Sequence, residues 1–145
     1  MAAQTSQSYA NHVRLDPAFH FFLLPVAAIT IGVAVYNMLR HINVLSVWTV
    51  VFAIAFAVLV LKTRLYALKA QDRVIRLEER LRCSMLLDEP LRARVPELSE
   101  AQLIALRFAP DAELPGLVSQ ALSSKLAPAE IKKAIRDWRG DYFRI

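Results

Sequence analysis

The sequence predicts an all-α membrane protein that combines a helical hairpin, a helical stalk and a bundle of short helices. Two apolar runs, 19–39 and 44–61, flank a short connection, and Arg40 is the one charged residue between Phe19 and Leu61. No glycine or proline lies between Val44 and Glu89. Five prolines then divide the remaining residues. These features predict two membrane spans, a second helix that continues into water, and short helices after it.

The predicted organisation has four parts. Residues 1–15 form a polar amino-terminal tail, and residues 16–61 form the transmembrane hairpin. Residues 62–85 form an amphipathic stalk that continues the second span, and residues 86–145 form a cap of short helices. The connection between the spans is too short for parallel helices, so the hairpin is antiparallel.

The first span begins with Asp16 as the helix cap and Pro17 in the first turn. A 21-residue run covers about 31 Å, which is close to the hydrocarbon thickness of a bilayer. Pro25 removes one backbone hydrogen bond and is expected to bend the helix. Small residues four apart permit close helix packing, although chance explains them equally well in an alanine-rich chain. They are Ala28 and Gly32 in the first span and Ala53 and Ala57 in the second.

The stalk carries an apolar stripe that starts as Leu61, Leu65, Leu68 and Ile75 and then shifts to Val74, Leu77, Leu81 and Met85. Asp72 and Glu79 interrupt a strict heptad, which weighs against a long dimeric coiled coil. We therefore expect the stripe to pack against the C-terminal segments. The i,i+4 spacing predicts ion pairs between Asp72 and Arg76 and between Glu78 and Arg82.

Three short helices are predicted in the cap. Ser99 and Gln102 form a capping-box pattern that opens a helix to about Phe108. A second helix begins at Asp111 or Leu114, and a third runs from Pro128 to a stop at Gly140.

Aromatic residues near the C-terminus have two interpretations. Trp138 shares a predicted helical face with Ile131 and Ile135, so it is expected to fold back onto the stalk or onto the Leu103/Leu106 helix. In the alternative, Trp138, Tyr142 and Phe143 form an exposed patch that contacts a partner.

Basic residues set the predicted topology. Residues 62–82 contain seven Lys or Arg and three acids, whereas the loop between the spans contains only Arg40. The positive-inside rule therefore places both termini in the cytoplasm. The candidates for contact with anionic lipid or a partner are Lys62, Arg64, Lys69, Arg73 and Arg76. An ordinary solvated helix face is the simpler interpretation of these residues.

Few residues suit catalysis or cofactor binding. His20 and His41 are the candidates for ligating a haem or pigment, but they lie at opposite ends of the first span and cannot share one site. Cys83 is the one cysteine, and Arg82 beside it could lower its pKa. The residues after His41 include no histidine to act as a base or complete a zinc site. We expect no catalytic residue, no metal, no cofactor and no nucleic-acid partner.

Several motifs resemble a family of small bacterial two-span membrane proteins known only as a domain of unknown function. They are Ser8-Tyr9-Ala-Asn11-His12, Phe19-His20-Phe21-Phe22, QDRVIRLEERLR at 71–82, Leu103-Ile-Ala-Leu-Arg107-Phe108-Ala109, and Ile131-Lys-Lys-Ala-Ile-Arg136-Asp-Trp138-Arg139 with Asp141-Tyr142. The resemblance implies a bacterial origin and the two-span architecture. It supplies no catalytic residue.

The sequence favours a non-enzymatic, membrane-anchored interaction module, such as an accessory subunit or adaptor at the cytoplasmic face of a bacterial inner membrane. Its expected partners are membrane lipids and either another membrane protein or a second copy of the chain. The alternative is a cofactor-, pigment- or lipid-binding accessory subunit of an energy-converting membrane complex.

Overall fold

A computed structural model of the protein describes residues 7–12 and 15–142, in which the regular secondary structure is entirely helical. The helices are α1 (Ala18–Arg40), α2 (Val44–Leu86), a 3₁₀ turn (Arg92–Glu97), α3 (Glu100–Leu106), α4 (Leu114–Ser124) and α5 (Pro128–Ala134). The described residues form two compact units, one of residues 15–69 and one of residues 7–12 and 70–142. The all-α fold predicted from the sequence is confirmed.

Helix α1 starts with an irregular turn that accommodates a proline. The Asp16 carboxylate accepts a hydrogen bond from the Phe19 N–H at 3.3 Å, as expected for a capping residue. The first six residues, Ala18–Leu23, are π-helical, and the Leu24 N–H donates to the Phe19 carbonyl five residues back. Pro25 follows directly, with no N–H and a ring that collides with the carbonyl of an ordinary preceding turn. The wider turn is therefore placed where the sequence predicts an irregularity.

Helix α2 is continuous over 43 residues, which confirms that the second apolar run extends into the stalk without a break. The reason is local, because every residue of this stretch can adopt helical geometry and none is glycine or proline.

Alanines on opposite helices are the buried residues of the 15–69 unit. Ala27 is 5% exposed, Ala34 is 3% exposed and Ala53 is 1% exposed. Ala27 and Ala34 are seven residues apart, which places them on one side of α1 after two turns. The prediction for Ala28 and Gly32 is wrong, since both are exposed.

The 70–142 unit has a core built from α3, α4 and α5. Its largest fully buried side chains include Leu103, Leu106, Phe108, Leu114, Val118 and Ile131. Ser99 and Gln102 form the predicted capping box at the start of α3. Helix α4 begins at Leu114, one of the two predicted starts.

The stalk packs on the face that carries Ile75, the last residue in the first part of the predicted stripe. Ile75, Glu79 and Cys83 are buried at 7%, 4% and 0% exposure, and they recur with the spacing of one helical face. The second part of the predicted stripe faces outward instead. Its members are Val74 (55% exposed), Leu77 (70%), Leu81 (59%) and Met85 (70%). We call these four residues the stalk stripe.

Helix α5 ends at Ala134, so the prediction that it continues to Gly140 is wrong. Ile135 is extended, with φ −68° and ψ 124°. The next two backbone N–H groups, of Arg136 and Asp137, each donate to a Glu113 carboxylate oxygen at 3.0 Å. A charged acceptor on a neighbouring segment replaces the helical carbonyls, which stops the helix.

This contact makes Glu113 a specific determinant of how the C-terminal segment ends. Replacing Glu113 with Ala should lower the free energy of unfolding of the 70–142 unit by about 1–3 kcal/mol, because two N–H groups lose a charged acceptor. Denaturation followed by Trp138 fluorescence, in a background with Trp48→Phe, measures the change.

The matched control is Asp137→Ala, which removes an exposed carboxylate at the same contact but keeps the backbone N–H that donates to Glu113. It should change the free energy of unfolding by less than about 0.5 kcal/mol. Equal effects of the two substitutions would contradict the assigned role of Glu113.

Candidate functional site

Arg82 is a buried arginine whose guanidinium joins α2 to the segment after α3. Its Nε donates to Asp111 Oδ1 at 2.7 Å, and its Nη2 donates to the Ala109 carbonyl at 2.6 Å. Its Nη1 donates to Glu79 Oε2 at 3.1 Å. Only arginine offers donors in a planar fork that can serve three acceptors at once. The side chain therefore fixes the position of the cap on the stalk.

Glu79 provides the buried carboxylate of this cluster. Burial raises its pKa, and the charges of Arg82 and Arg139 act in the opposite direction. One carboxylate oxygen binds Arg82, and Arg139 Nη1 lies 3.9 Å from the other. In the sequence Glu79 interrupts a heptad, whereas in the structure it is a buried ion-pair partner of Arg82.

The two ion pairs predicted along the stalk are replaced by contacts with other groups. Arg82 forms ion pairs with Glu79 and Asp111 rather than with Glu78. Arg76 forms an ion pair with Glu100, and its Nε donates to the Asp72 backbone carbonyl at 3.3 Å. The Arg82 side chain is itself buried, so its charge is screened less by water than that of an exposed arginine.

A cleft of about 350 Å³ lies between the stalk and the C-terminal segment. Its charged lining consists of Glu78, Glu79, Arg107, Arg139 and Asp141. Arg107 Nε lies 3.1 Å from Asp141 Oδ2. Both signs of charge are therefore present, which suits a polar peptide surface better than a simple anion.

The amino-terminal segment docks on the cap. Asp141 N–H donates to the Gln7 side-chain oxygen at 2.9 Å, and the Gln7 amide donates back to the Asp141 carbonyl at 3.2 Å. His12 Nε2 lies 3.2 Å from Lys132 Nζ. Residues predicted only as a polar tail therefore belong to the same unit as the C-terminal helices.

Trp138 lies in an aromatic cluster at this contact. Its ring centroid is 4.8 Å from that of Phe108 and 5.6 Å from that of His12. It is half-buried against the core beside α3, without being on α5. Tyr142 is 41% exposed, and Phe143 lies outside the described residues.

The five basic candidates of the stalk divide into two groups. Arg64 forms an ion pair with Asp16 at 3.3 Å and lies over the Phe19 ring, and Arg76 binds Glu100. The other three, Lys62, Lys69 and Arg73, are exposed. Internal pairing therefore removes two of the five from the surface available to lipid or a partner.

The two histidine candidates remain at opposite ends of α1. His20 Nδ1 lies 2.8 Å from the Asp16 carbonyl, and His41 is exposed at the end of α1. The structure does not bring them together.

Cys83 is fully buried, and its pKa is raised from an ordinary value of 9.0 to about 11, mainly by that burial. The neighbouring Glu79 charge contributes to the rise, and Arg82 opposes both effects. Burial therefore outweighs the activating effect of Arg82 considered from the sequence. The thiol is protonated at neutral pH.

Sequence reasoning missed Gln7, Asp111 and Glu113, whose contacts join segments distant in the chain. The only available signal was the presence of Glu79 and Arg82 on the same face as Ile75 and Cys83 of the stalk. A charged pair at core spacing indicates a buried ion pair.

These features define an all-helical protein with two helices long and apolar enough to cross a membrane. The chain belongs to a family of unknown function, DUF6526, whose model matches residues 1–145. No curated protein and no solved structure matches the chain.

The Arg82 fork should be intolerant of lysine. Arg82→Lys leaves one ammonium group for three acceptors, so it should reduce the free energy of unfolding of the 70–142 unit by about 2–4 kcal/mol. Proteolysis of the protein in detergent, with Arg80→Lys as the matched exposed control, measures the effect. Similar digestion rates for the two variants would contradict a central role for Arg82.

The Cys83 thiol should react slowly with alkylating reagents. The raised pKa lowers the thiolate fraction about 100-fold near pH 8, and burial blocks access as well. A Cys83→Ala, Ser123→Cys variant moves the thiol to an exposed position on α4. Its labelling rate should exceed that of the native chain by more than about 100-fold, whereas equal rates would contradict the burial of Cys83.

Proposed function

We propose that the protein is a non-enzymatic, membrane-anchored interaction module, an accessory subunit or adaptor at the cytoplasmic face of a bacterial inner membrane. The proposal rests mainly on the exposed apolar surface of α1 and α2. The most apolar 18-residue windows of α1 and α2 have mean hydropathies of 2.2 and 2.8, yet only 11% and 6% of them is buried. Such surface needs a nonpolar environment, and helix lengths of this kind suit a bilayer.

The docked amino-terminal segment supports two spans with both ends on one side. Residues 7–12 pack within the same unit as residues 70–142. A chain that crosses the bilayer twice returns to the side where it started, and this arrangement agrees with the packing of the amino-terminal segment. The seven basic residues at 62–82, against Arg40 in the loop, favour the cytoplasm for that side.

The 70–142 unit supports the interaction role through two adjoining surfaces. The charged cleft and the stalk stripe share Val74, which lines the cleft and is 55% exposed. A mixed surface with an apolar centre and a charged border is typical of protein contact sites.

The topology is tested with introduced cysteines, because native Cys83 is buried and reports nothing about sidedness. In a Cys83→Ala background, Ile42→Cys places a thiol at an 83% exposed position in the loop. Ser123→Cys places one on the exposed surface of α4. An impermeant maleimide should label position 42 in intact spheroplasts and position 123 only after lysis.

The same cells test membrane anchoring. The protein should stay in the membrane fraction after carbonate extraction, since the apolar helices hold it there. Recovery in the soluble fraction, or labelling of position 123 in intact spheroplasts, would contradict the proposal. A visible absorbance band in the purified protein would favour the cofactor-binding alternative.

A further inference from the structure

The exposed side of the stalk carries two heptads with apolar residues at every seam position except the last, Ser84. Its residues alternate spacings of four and three, which keeps them on one seam of an α-helix. They are Ala70, Val74, Leu77, Leu81 and Ser84, all exposed. Glu79, which interrupts a heptad in the sequence, lies on the opposite, cap-facing side at 4% exposure. Asp72, the other interrupting residue, lies seven residues earlier on that same side of the helix, so the structure removes both objections to a coiled coil.

Charged residues of opposite sign flank this seam. Arg73 precedes Val74 on one side, and Glu78 follows Leu77 on the other. Both are exposed, and neither forms an ion pair within the described residues. In heptad terms Arg73 occupies a g position and Glu78 the e position five residues later. In a parallel two-stranded coil, these are the positions that face each other across the two helices.

We propose that a second copy of this chain covers the seam, so that the stalks form a short parallel coiled coil with Arg73 of each copy paired to Glu78 of the other. The inference rests on the proposed membrane anchoring and names the partner of that module. Two copies inserted with the same topology present their stalks in the same direction, which is the parallel arrangement that the charge pattern requires.

The geometry of the monomer leaves this side open. The cap packs on the face of Ile75, Glu79 and Cys83, which points away from the seam. Two heptads form a small interface for molecules that diffuse freely in water. Anchoring in one bilayer raises the local concentration of the second stalk and orients it, so a small seam is sufficient.

The first test is disulfide cross-linking of the full-length protein in native membranes. Ser84→Cys introduces a thiol at a seam position, where the two copies of a parallel coil lie side by side. Oxidation should convert this variant into a covalent dimer. The native chain, whose Cys83 is buried, and the variant with Ser123→Cys on α4 serve as controls and should remain monomeric.

Charge reversal tests the register. Arg73→Glu and Glu78→Arg each turn two symmetry-related attractions into repulsions, so each should weaken dimerisation about fivefold. The double variant restores opposite charges and should recover the dimer yield of the parent. Both residues are exposed, so a loss of folding does not explain such a rescue.

The outcomes separate this inference from the proposed function. A monomeric Ser84→Cys protein that remains in the membrane would overturn the second copy as partner and leave the anchored module intact. Cross-linking of position 84 to a different protein would do the same. A protein absent from the membrane would overturn both. Failure of the double charge reversal to restore dimerisation would reject the parallel register.

Discussion

The contact between Arg82 and its three acceptors determines how the 70–142 unit is assembled. Hydrophobic burial supplies most of the stabilising free energy of the cap core, but it is nondirectional and does not choose between two apolar faces of one helix. The guanidinium makes that choice because Glu79, Asp111 and the Ala109 carbonyl must converge on it. An arginine removed from water without such partners would cost several kcal/mol. The face that carries Arg82 is therefore the face that meets the cap, and the stalk stripe is left outside.

A second consequence concerns the two ends of the described chain. Once the segment after α3 is fixed, its Phe108 carbonyl accepts a hydrogen bond from the Arg139 N–H at 2.8 Å. Asp141, two residues on, then lies where Gln7 can pair with it through two hydrogen bonds. The amino-terminal segment is thus held by the hydrogen bonds of Gln7 and by the contact of the His12 ring with Trp138. These contacts depend on the position of the segment after α3. Loss of the Arg82 cluster should therefore weaken the contacts made by both ends of the described chain.

The sequence was sufficient where local chemistry decides the structure. The lack of glycine and proline from Val44 onward predicts a continuous α2, and the Ser99 capping box predicts the start of α3. It was insufficient where distant groups compete. The end of α5 depends on Glu113, which lies more than 20 residues upstream of the N–H groups it binds. Apolar periodicity also failed for the stalk stripe, because spacing alone does not say which face is buried, and the buried face of Ile75 and Cys83 also carries Glu79. The side-chain ion pairs were also misassigned, because contacts with other acceptors outweigh the i,i+4 spacing.

The basic residues of α2 acquire distinct roles once these contacts are known. Arg64, Arg76 and Arg82 are satisfied by Asp16, Glu100 and the Glu79–Asp111 pair. Lys62 and Lys69 are exposed and lie nearest the apolar run, where headgroup phosphates would be met. Arg73 is the next exposed cation, and it adjoins the seam rather than the apolar run. The two lysines next to the apolar run and Arg73 beside the seam are therefore separate features of one helix. A single measure of net charge merges them, whereas the contacts separate the paired arginines from the exposed cations.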